Sequence, residues 1–332
     1  MTLKLTFFLW IIGLSLFLPK KQGLNLNAPN TKYKNGSVIT IGTFDGVHIG
    51  HQKIIKRLVK TGLEKHLKSV VLTFFPHPRM VLQPDFKLQL LHTIEERQDI
   101  LSQFGLDDLV IKEFTKDFAN LSAYDYVKKV LVDELNAKHI IIGYDHHFGK
   151  DRTANIDDLK SFGKVFNFTV EEISAQDIAD VAVSSTKIRQ ALQHGDIKTT
   201  NTYLGYPYFL TGKVIKGKGL GKTIMFPTAN IAIEKSYKLI PKHGVYVVKS
   251  TIDKRTVFGM MNIGTNPTFN ETKRSIEVHF FNFDKDLYNA VLKIEILHRL
   301  RDEQKFESVK QLQSQLENDK INALTYIKTH HE

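Results

Sequence analysis

From Ser37 onward the chain alternates short runs of β-branched and apolar residues with longer stretches whose apolar positions recur at helical spacing. The run SVITIG is short, β-branched and closed by a glycine, so it reads as a buried strand. HQKIIKRLVKTGLEK then carries apolar residues at helical intervals, and SVVLTFF returns to strand. A strand, a helix and a strand within about forty residues is parallel-sheet grammar. TIEERQDILSQFG leads in the same way to DDLVIKEF, and SAYDYVKKVLVDELN, read as one helix, leads to AKHIIIGYD. After a further strand, FTVEEIS, a helix begins near Ser185 and stops around Gly195. Residues 37–200 are therefore expected to form an open α/β domain with nucleotide-binding potential.

Near Tyr203 the pattern changes. Glycine, proline and short alternating runs replace the helices: YFLTGKVI, HGVYVVKST, TVFGMMNIG, SIEVHFFNF and AVLKIEILHRL. Short strands separated by turn signals predict a small antiparallel barrel over residues 205–330. A final amphipathic helix puts Phe306, Val309, Leu312 and Leu316 on one stripe, suited to closing a barrel end. The length of 332 residues agrees with two domains.

Residues 1–36 stand apart. Leu5 to Leu18 is apolar and uncharged yet short for a membrane span. Only Lys4 precedes it, Pro19-Lys20-Lys21 follows it, and no clear small-residue cleavage site is evident, so an over-long start is favoured slightly over a signal or anchor. Either reading sets the segment aside from the fold; the expected location is cytoplasmic, without stable membrane insertion.

Hydrophobic residues at 42% and charged residues at 24% exclude a disordered chain and a polytopic membrane protein. With no cysteine, disulfides, thiolate metal sites and a cysteine nucleophile are excluded too. The net charge of +11 invites a nucleic-acid reading, but Lys4, Lys20, Lys21, Lys32 and Lys34 precede Ser37 where no acid occurs, which leaves +6. That surplus suits anionic small molecules at least as well as a polynucleotide.

The first chemistry-bearing stretch lies between a strand and a helix: Gly42-Thr43-Phe44-Asp45-Gly46-Val47-His48-Ile49-Gly50-His51. A glycine turn at a helix N-terminus offers backbone N–H groups and the positive dipole end to phosphate oxygens. His48 and His51 stand one turn apart, able to address one phosphate, and Gly50 removes a side chain that would hinder close approach. Farther on, Ser185, Thr186 and Arg189 in VSSTKIR put hydroxyls at a helix start and a cation one turn in. Each segment alone is also compatible with an ordinary turn or a capped helix.

The second is Gly217-Lys218-Gly219-Leu220-Gly221-Lys222-Thr223, running into Phe226-Pro227-Thr228-Ala229-Asn230. This flexible cationic loop lacks Walker A spacing but exposes backbone donors to phosphates. Thr228 and Asn230 offer oxygens suited to Mg2+ that keeps some waters. In SIEVHFFNFDKDLY, Ile276, Val278 and Phe280 share one strand face and Glu277 and His279 the other. Glu277 is either a proton acceptor for an alcohol attacking a γ-phosphate or a solvated strand carboxylate paired with a lysine such as Lys273.

Taken together, HxGH and SSTxIR resemble the motifs of the nucleotidyltransferase superfamily, and LTFFPHPRMVL with GYDHHFGKDR resembles its FAD synthetase branch. GKGLGKTIMFPTANI, KHGVYVV, NIGTNPTF, IEVHFFNFDKDLY and LRDEQKF occur in the order found in riboflavin kinase domains. The resemblance to bifunctional riboflavin kinase/FAD synthetases implies a Rossmann-like nucleotidyltransferase domain followed by a six-stranded barrel with a C-terminal helix. It implies riboflavin, FMN and ATP as substrates, FMN and FAD as products, and Mg2+ as cofactor.

By the same resemblance His48 and His51 stabilise the ATP phosphates and departing pyrophosphate, Ser185, Thr186 and Arg189 close on that group, and Asp145 and Phe148 belong to a flavin and nucleotide loop. Thr228 and Asn230 help hold magnesium and ATP, and Glu277 activates the ribityl hydroxyl. Met225 stands where glycine is usual, Lys222 where arginine is common, and His146 where an aromatic is frequent. Adjacent histidines on a strand point to opposite faces, which argues against His146 and His147 as a metal pair. The other readings are a nucleotidyltransferase for another phosphorylated metabolite with a flavin-sensing barrel, and a basic nucleic-acid-binding protein; the lack of clustered arginines with interleaved aromatics disfavours the latter.

Overall fold

The structure is a computed structural model that describes residues 31–143, 146–173, 183–217, 221, 224–265 and 274–331. Asp145 in the expected flavin loop and Gly219 and Lys222 in the glycine loop lie outside the described residues, as do residues 1–30 of the leader. The end of that leader belongs to the fold: Thr31–Tyr33 forms a 3-10 turn, and the Tyr33 ring is 3% exposed in the core with its hydroxyl donating to Asp108.

Strands β1 (Ser37–Ile41), β2 (Lys68–Phe75), β3 (Asp108–Glu113), β4 (Ala137–Gly143) and β5 (Thr169–Ile173) form a parallel sheet in the order β3-β2-β1-β4-β5. β1 is central and buried along its whole length, which is why Val38, Ile39 and Ile41 put apolar side chains on both faces instead of alternating strictly. On one face Val38, Val71 and Ile141 meet Ile55 and Leu58 of helix α1 (Ile49–Lys65). A short α2 (Pro78–Leu82) follows β2. α3 (Ile94–Ser102), started by a Thr93/Glu96 capping box, adds Ile100 and Leu101 to the α1 face.

After α4 (Lys116–Ala119), the expected helix over 122–136 divides into α5 (Ala123–Tyr126) and a π-helical stretch, Val127–Glu134. Its Leu135 N–H reaches Val130 O at 3.1 Å. Val127, Leu131 and Leu135 recur every four positions, a spacing the wider turn accommodates, and all are buried against the second sheet face. α6 (Ile156–Phe166) covers the rest of that face through Leu159.

Two consecutive helices, α7 (Ser185–His194) and α8 (Ile197–Leu204), lead to the barrel. Gly195 ends α7 at φ +79°, the conformation that makes glycine the usual helix stop. β6 (Phe209–Ile215), β7 (Ala229–Ala232), β8 (Gly244–Ile252), β9 (Arg255–Thr265), β10 (Arg274–Phe280) and β11 (Val291–Arg301) close in the order β10-β7-β6-β11-β8-β9, all pairs antiparallel. Leu210, Val248, Met261, Val278 and Ile294 fill its interior, and Ile188, Leu192 and Leu204 of α7 and α8 join the same core.

The C-terminal helix α9 (Val309–His331) packs outside the barrel on Val245, Val247 and Leu297. Its buried stripe differs from the expected one. Phe306 precedes the helix and Val309 is 61% exposed; Leu316, Ala323 and Ile327 make the contact, with Asp319 buried between them in an ion pair to Arg301. That pair, Arg301 Nη2 to Asp319 Oδ2 at 2.6 Å, shifts the stripe, because a buried carboxylate on the helix must face its partner.

Main chain joins the domains. Leu90 N–H donates to Tyr237 O at 2.7 Å and Leu239 N–H to Leu90 O at 2.8 Å, a parallel bridge centred on Leu90 and Lys238. Beside it the buried Lys238 ammonium donates to Glu96 Oε2 at 2.6 Å and Leu91 O at 2.7 Å, and Thr211 N–H donates to Glu96 Oε1 at 3.2 Å.

Candidate active sites

A cleft of about 930 Å³ opens at the carboxyl ends of β1 and β4, lined by Gly42 and Gly143 among others. These neighbouring strands lie where the strand order reverses, the place where open parallel sheets bind ligands. The N-termini of α1 and α7 meet there: His48, Gly50 and His51 line the cleft with Ser184, Ser185, Thr186 and Arg189. Two helix N-termini aimed into one cleft favour anionic groups.

His48 is the N-cap of α1: its Nδ1 accepts from the His51 backbone N–H at 3.4 Å. The two imidazoles stack with centroids 3.6 Å apart. Burial depresses the His48 pKa to about 4, Asp45 opposing the shift. His51 is pushed well below the ordinary value by burial, by His48 and by Arg97. Both rings are therefore neutral at pH 7 without a ligand. Phe44 lies edge-on to His51 at 5.1 Å, and its ring fills the space a Gly42 side chain would need.

Asp45 is 1% exposed. Its carboxylate accepts from Leu91 N at 3.1 Å, His92 N at 3.2 Å and Arg189 Nη2 at 2.6 Å. Arg189 Nε also donates to Gln89 O at 2.9 Å, and Ser185 Oγ to Asp45 O at 2.8 Å. The acid thus faces inward and fixes the α7 terminus and Arg189 against the α1 turn.

The other half of the cleft is aromatic. Phe74, Phe114, Phe118, Tyr126 and Phe148 line it, in a chain of ring contacts from Phe74–Phe114 at 5.7 Å to Tyr126–Phe148 at 5.9 Å. Of these only Phe148 was assigned to the flavin loop, and Phe74 lay within LTFFPHPRMVL without a role; the available signal was an aromatic at or just after the carboxyl end of β2 and of β3. His146 and His147 both line this cleft beyond the end of β4, so the opposite-face argument for a strand does not apply to them. Among the described residues no group of three or more His, Cys, Asp or Glu side chains is arranged to hold a metal ion. Arg97, which sequence reasoning passed over, is buried behind the turn and donates to Thr43 O.

A second cluster forms on the outer face of the barrel. β10 pairs Glu277 with Asn230 of β7 on one side and with Asn262 of β9 on the other. Thr228 Oγ1 lies 3.3 Å from Glu277 Oε2. Ile276, Val278 and Phe280 are buried while Glu277 and His279 point outward, as the alternation predicts. Gly217 presses on this cluster: a β-carbon there would fall 2.1 Å from Asn230 Nδ2. Gly221 is equally confined, a β-carbon meeting Phe226 O at 2.2 Å. Met225 is 80% exposed and holds φ +61°, which is why glycine suits that position. Asn262, and His279 with its ring nitrogen 2.8 Å from Pro227 O, complete the neighbourhood; their strand positions beside Glu277 were the only signal.

Residues 30–187 match the family model described as FAD synthetase, and residues 204–327 that described as riboflavin kinase. The chain is similar to a solved structure of a macrolide-efflux protein from Streptococcus pneumoniae, at TM-score 0.79 and 32% identity over 90% of this chain and 95% of that one. Among the described residues no helix is long and apolar enough to cross a membrane. It is 40% identical to the bifunctional riboflavin kinase/FMN adenylyltransferase of Bacillus subtilis (strain 168), over 87% of this chain and 92% of that protein. The Escherichia coli (strain K12) protein of the same name is 32% identical over 87% and 92%. A cleft where paired histidines at one helix N-terminus face the serines and threonine of another, a barrel carrying Thr228, Asn230 and Glu277 on one face, and relatives spanning both halves agree: the chain belongs to the family of bifunctional riboflavin kinase/FMN adenylyltransferases.

Proposed function

We propose that the two clusters divide the work of flavin cofactor synthesis. On the barrel, the terminal ribityl hydroxyl of riboflavin attacks the γ-phosphorus of ATP; its proton passes to Glu277, the bond to the β-phosphate oxygen breaks, and FMN and ADP result. In the N-terminal cleft a phosphate oxygen of FMN attacks the α-phosphorus of a second ATP, giving FAD and pyrophosphate. The attacking group there is already an anion, so orientation and charge stabilisation suffice.

His48, His51, Arg189, Ser185 and Thr186 then face the ATP phosphates, with Gly42, Phe44, Asp45, Gly46 and Gly50 shaping the turn. Phe148 belongs to the aromatic wall suited to a flavin ring. On the barrel, Gly217 and Gly221 belong to the loop that covers the second triphosphate. Thr228 and Asn230 supply neutral oxygens beside Glu277, a hard donor set too small to enclose an ion alone, which fits Mg2+ sharing its sphere with phosphates and water. The metal, when bound, neutralises charge on the phosphates; Glu277 holds the proton. ATP and flavin as substrates support a cytoplasmic setting.

The observation that carries this reading is that the riboflavin kinase match contains the barrel cluster, and the FAD synthetase match contains the cleft cluster except Arg189, two residues beyond its end. Chromatography of products from riboflavin and excess MgATP tests it. FMN and then FAD are expected; His51→Ala stops FAD but spares FMN, and Glu277→Ala stops FMN but converts added FMN to FAD. Equal loss of both activities in either variant overturns the assignment.

A further inference from the structure

The turn that carries the paired histidines is strained. Phe44 has φ +48°, Gly46 φ +87° and Val47 φ +35°, and a β-branched residue in that region is a true outlier. Such a conformation persists only where the surroundings over-determine it. Much of what surrounds this turn comes from beyond the segment that matches the FAD synthetase model, which ends at residue 187.

Tyr206 Oη donates to Gly46 O. Gln52 Nε2 bridges Val47 O at 2.9 Å and Leu204 O at 2.7 Å. Leu204 and Tyr206 fall at the start of the riboflavin kinase match, which begins at residue 204. The fit is close: a β-carbon on Gly205 would lie 2.9 Å from Ile49 Cγ2, and one on Gly46 2.5 Å from Leu91 Cδ1. Tyr206 is held in turn by His92 of the N-terminal domain and Phe209 of the barrel's first strand, at 5.9 and 6.4 Å, so both domains aim its hydroxyl.

We infer that Tyr206, from the interdomain segment, is a positioning residue for adenylyl transfer: its hydroxyl holds the Gly46 carbonyl so that the N–H groups and imidazoles following the strained turn face the nucleotide. It touches no substrate. The inference rests on the Gly42–His51 turn being the adenylyl site, and the bifunctional chain supplies its own control because Tyr206 precedes the start of β6 while Asn230 of the barrel cluster pairs with Ile215 at its other end.

The test is Tyr206→Phe in the full-length protein, which keeps the ring and removes only the hydroxyl. With FMN and MgATP, kcat for FAD formation is expected to fall about tenfold or more, since small misplacements of reacting groups cost up to about a hundredfold. Riboflavin phosphorylation in the same preparation should be unchanged, and the KM for FMN should move less than kcat. Gln52→Leu, which frees Val47 O, should reproduce the selective loss. A Tyr206→Phe protein that makes FAD within about twofold of the parent rate overturns the proposal, as does loss of both activities in parallel with a lowered melting temperature. If His51→Ala leaves FAD formation intact, the site assignment itself has failed, whatever the Tyr206 result.

Discussion

Arg189 and Asp45, 144 residues apart in sequence, meet at 2.6 Å and join the two helix N-termini that face the N-terminal cleft. The carboxylate is almost wholly buried and also accepts two backbone N–H groups. Asp45→Asn keeps the shape but turns an amide donor towards groups that all donate. The expected outcome is a loss of about 2–3 kcal/mol in urea unfolding, near the low end for a broken buried pair because Arg189 keeps some solvent contact. FAD formation should fall more than FMN formation.

The paired imidazoles make the fold sensitive to acid. His48 titrates at about 4 instead of 6.5 because burial penalises its charged form, and His51 shifts the same way. The folded state therefore binds fewer protons than the unfolded one between those values. The stability this represents is complete above 6.5 and is lost as pH falls towards 4. Urea midpoints measured across that window should decline, and His48→Asn should flatten the decline.

The same depression gives a binding signature. A triphosphate beside the neutral rings favours their charged form, so MgATP binding to the cleft is expected to take up protons near pH 6. Calorimetry in two buffers of different ionisation heat reads the uptake, with Glu277→Ala present to remove turnover at the barrel. His51→Ala should diminish it.

Met225 bears a side chain at φ +61° with 80% of its surface exposed. Met225→Gly forfeits little burial and relieves a left-handed conformation costing about 1–2 kcal/mol, partly offset by the entropy of glycine. A net gain of about 0.5–1 kcal/mol in thermal or urea unfolding is expected. If the side chain narrows the glycine loop, riboflavin phosphorylation should also quicken.

Lys238 is fully buried against Glu96. Lys238→Met leaves that carboxylate uncompensated at the seam and should destabilise by about 3–5 kcal/mol, while adding Glu96→Gln should recover part of the loss. Urea titrations of the single and double variants measure the coupling.

The parallel sheet and barrel were legible because burial leaves a local signature: β1 carries apolar side chains on both faces, and β10 alternates with Glu277 on the outer face. The paired histidines and Thr228–Asn230–Glu277 were legible as motifs, since strand and helix spacing sets their geometry. Arg97, Lys238 and Tyr206 were not. Each acts on a carbonyl or carboxylate distant in sequence, and nothing within one turn of helix or strand marks that partner. The division of 122–136 into α and π turns was hidden for a related reason: a four-residue apolar recurrence suits either winding until the opposing sheet selects one.

The Leu90–Lys238 bridge has an implication for how the protein comes apart. Main-chain pairing depends little on which side chains decorate the joint, and it ties stretches that no covalent linker connects directly. Protease nicking between residues 187 and 204 would accordingly yield fragments that still travel as one particle through gel filtration, and a barrel grafted from a relative needs chiefly an extended backbone at that point to dock.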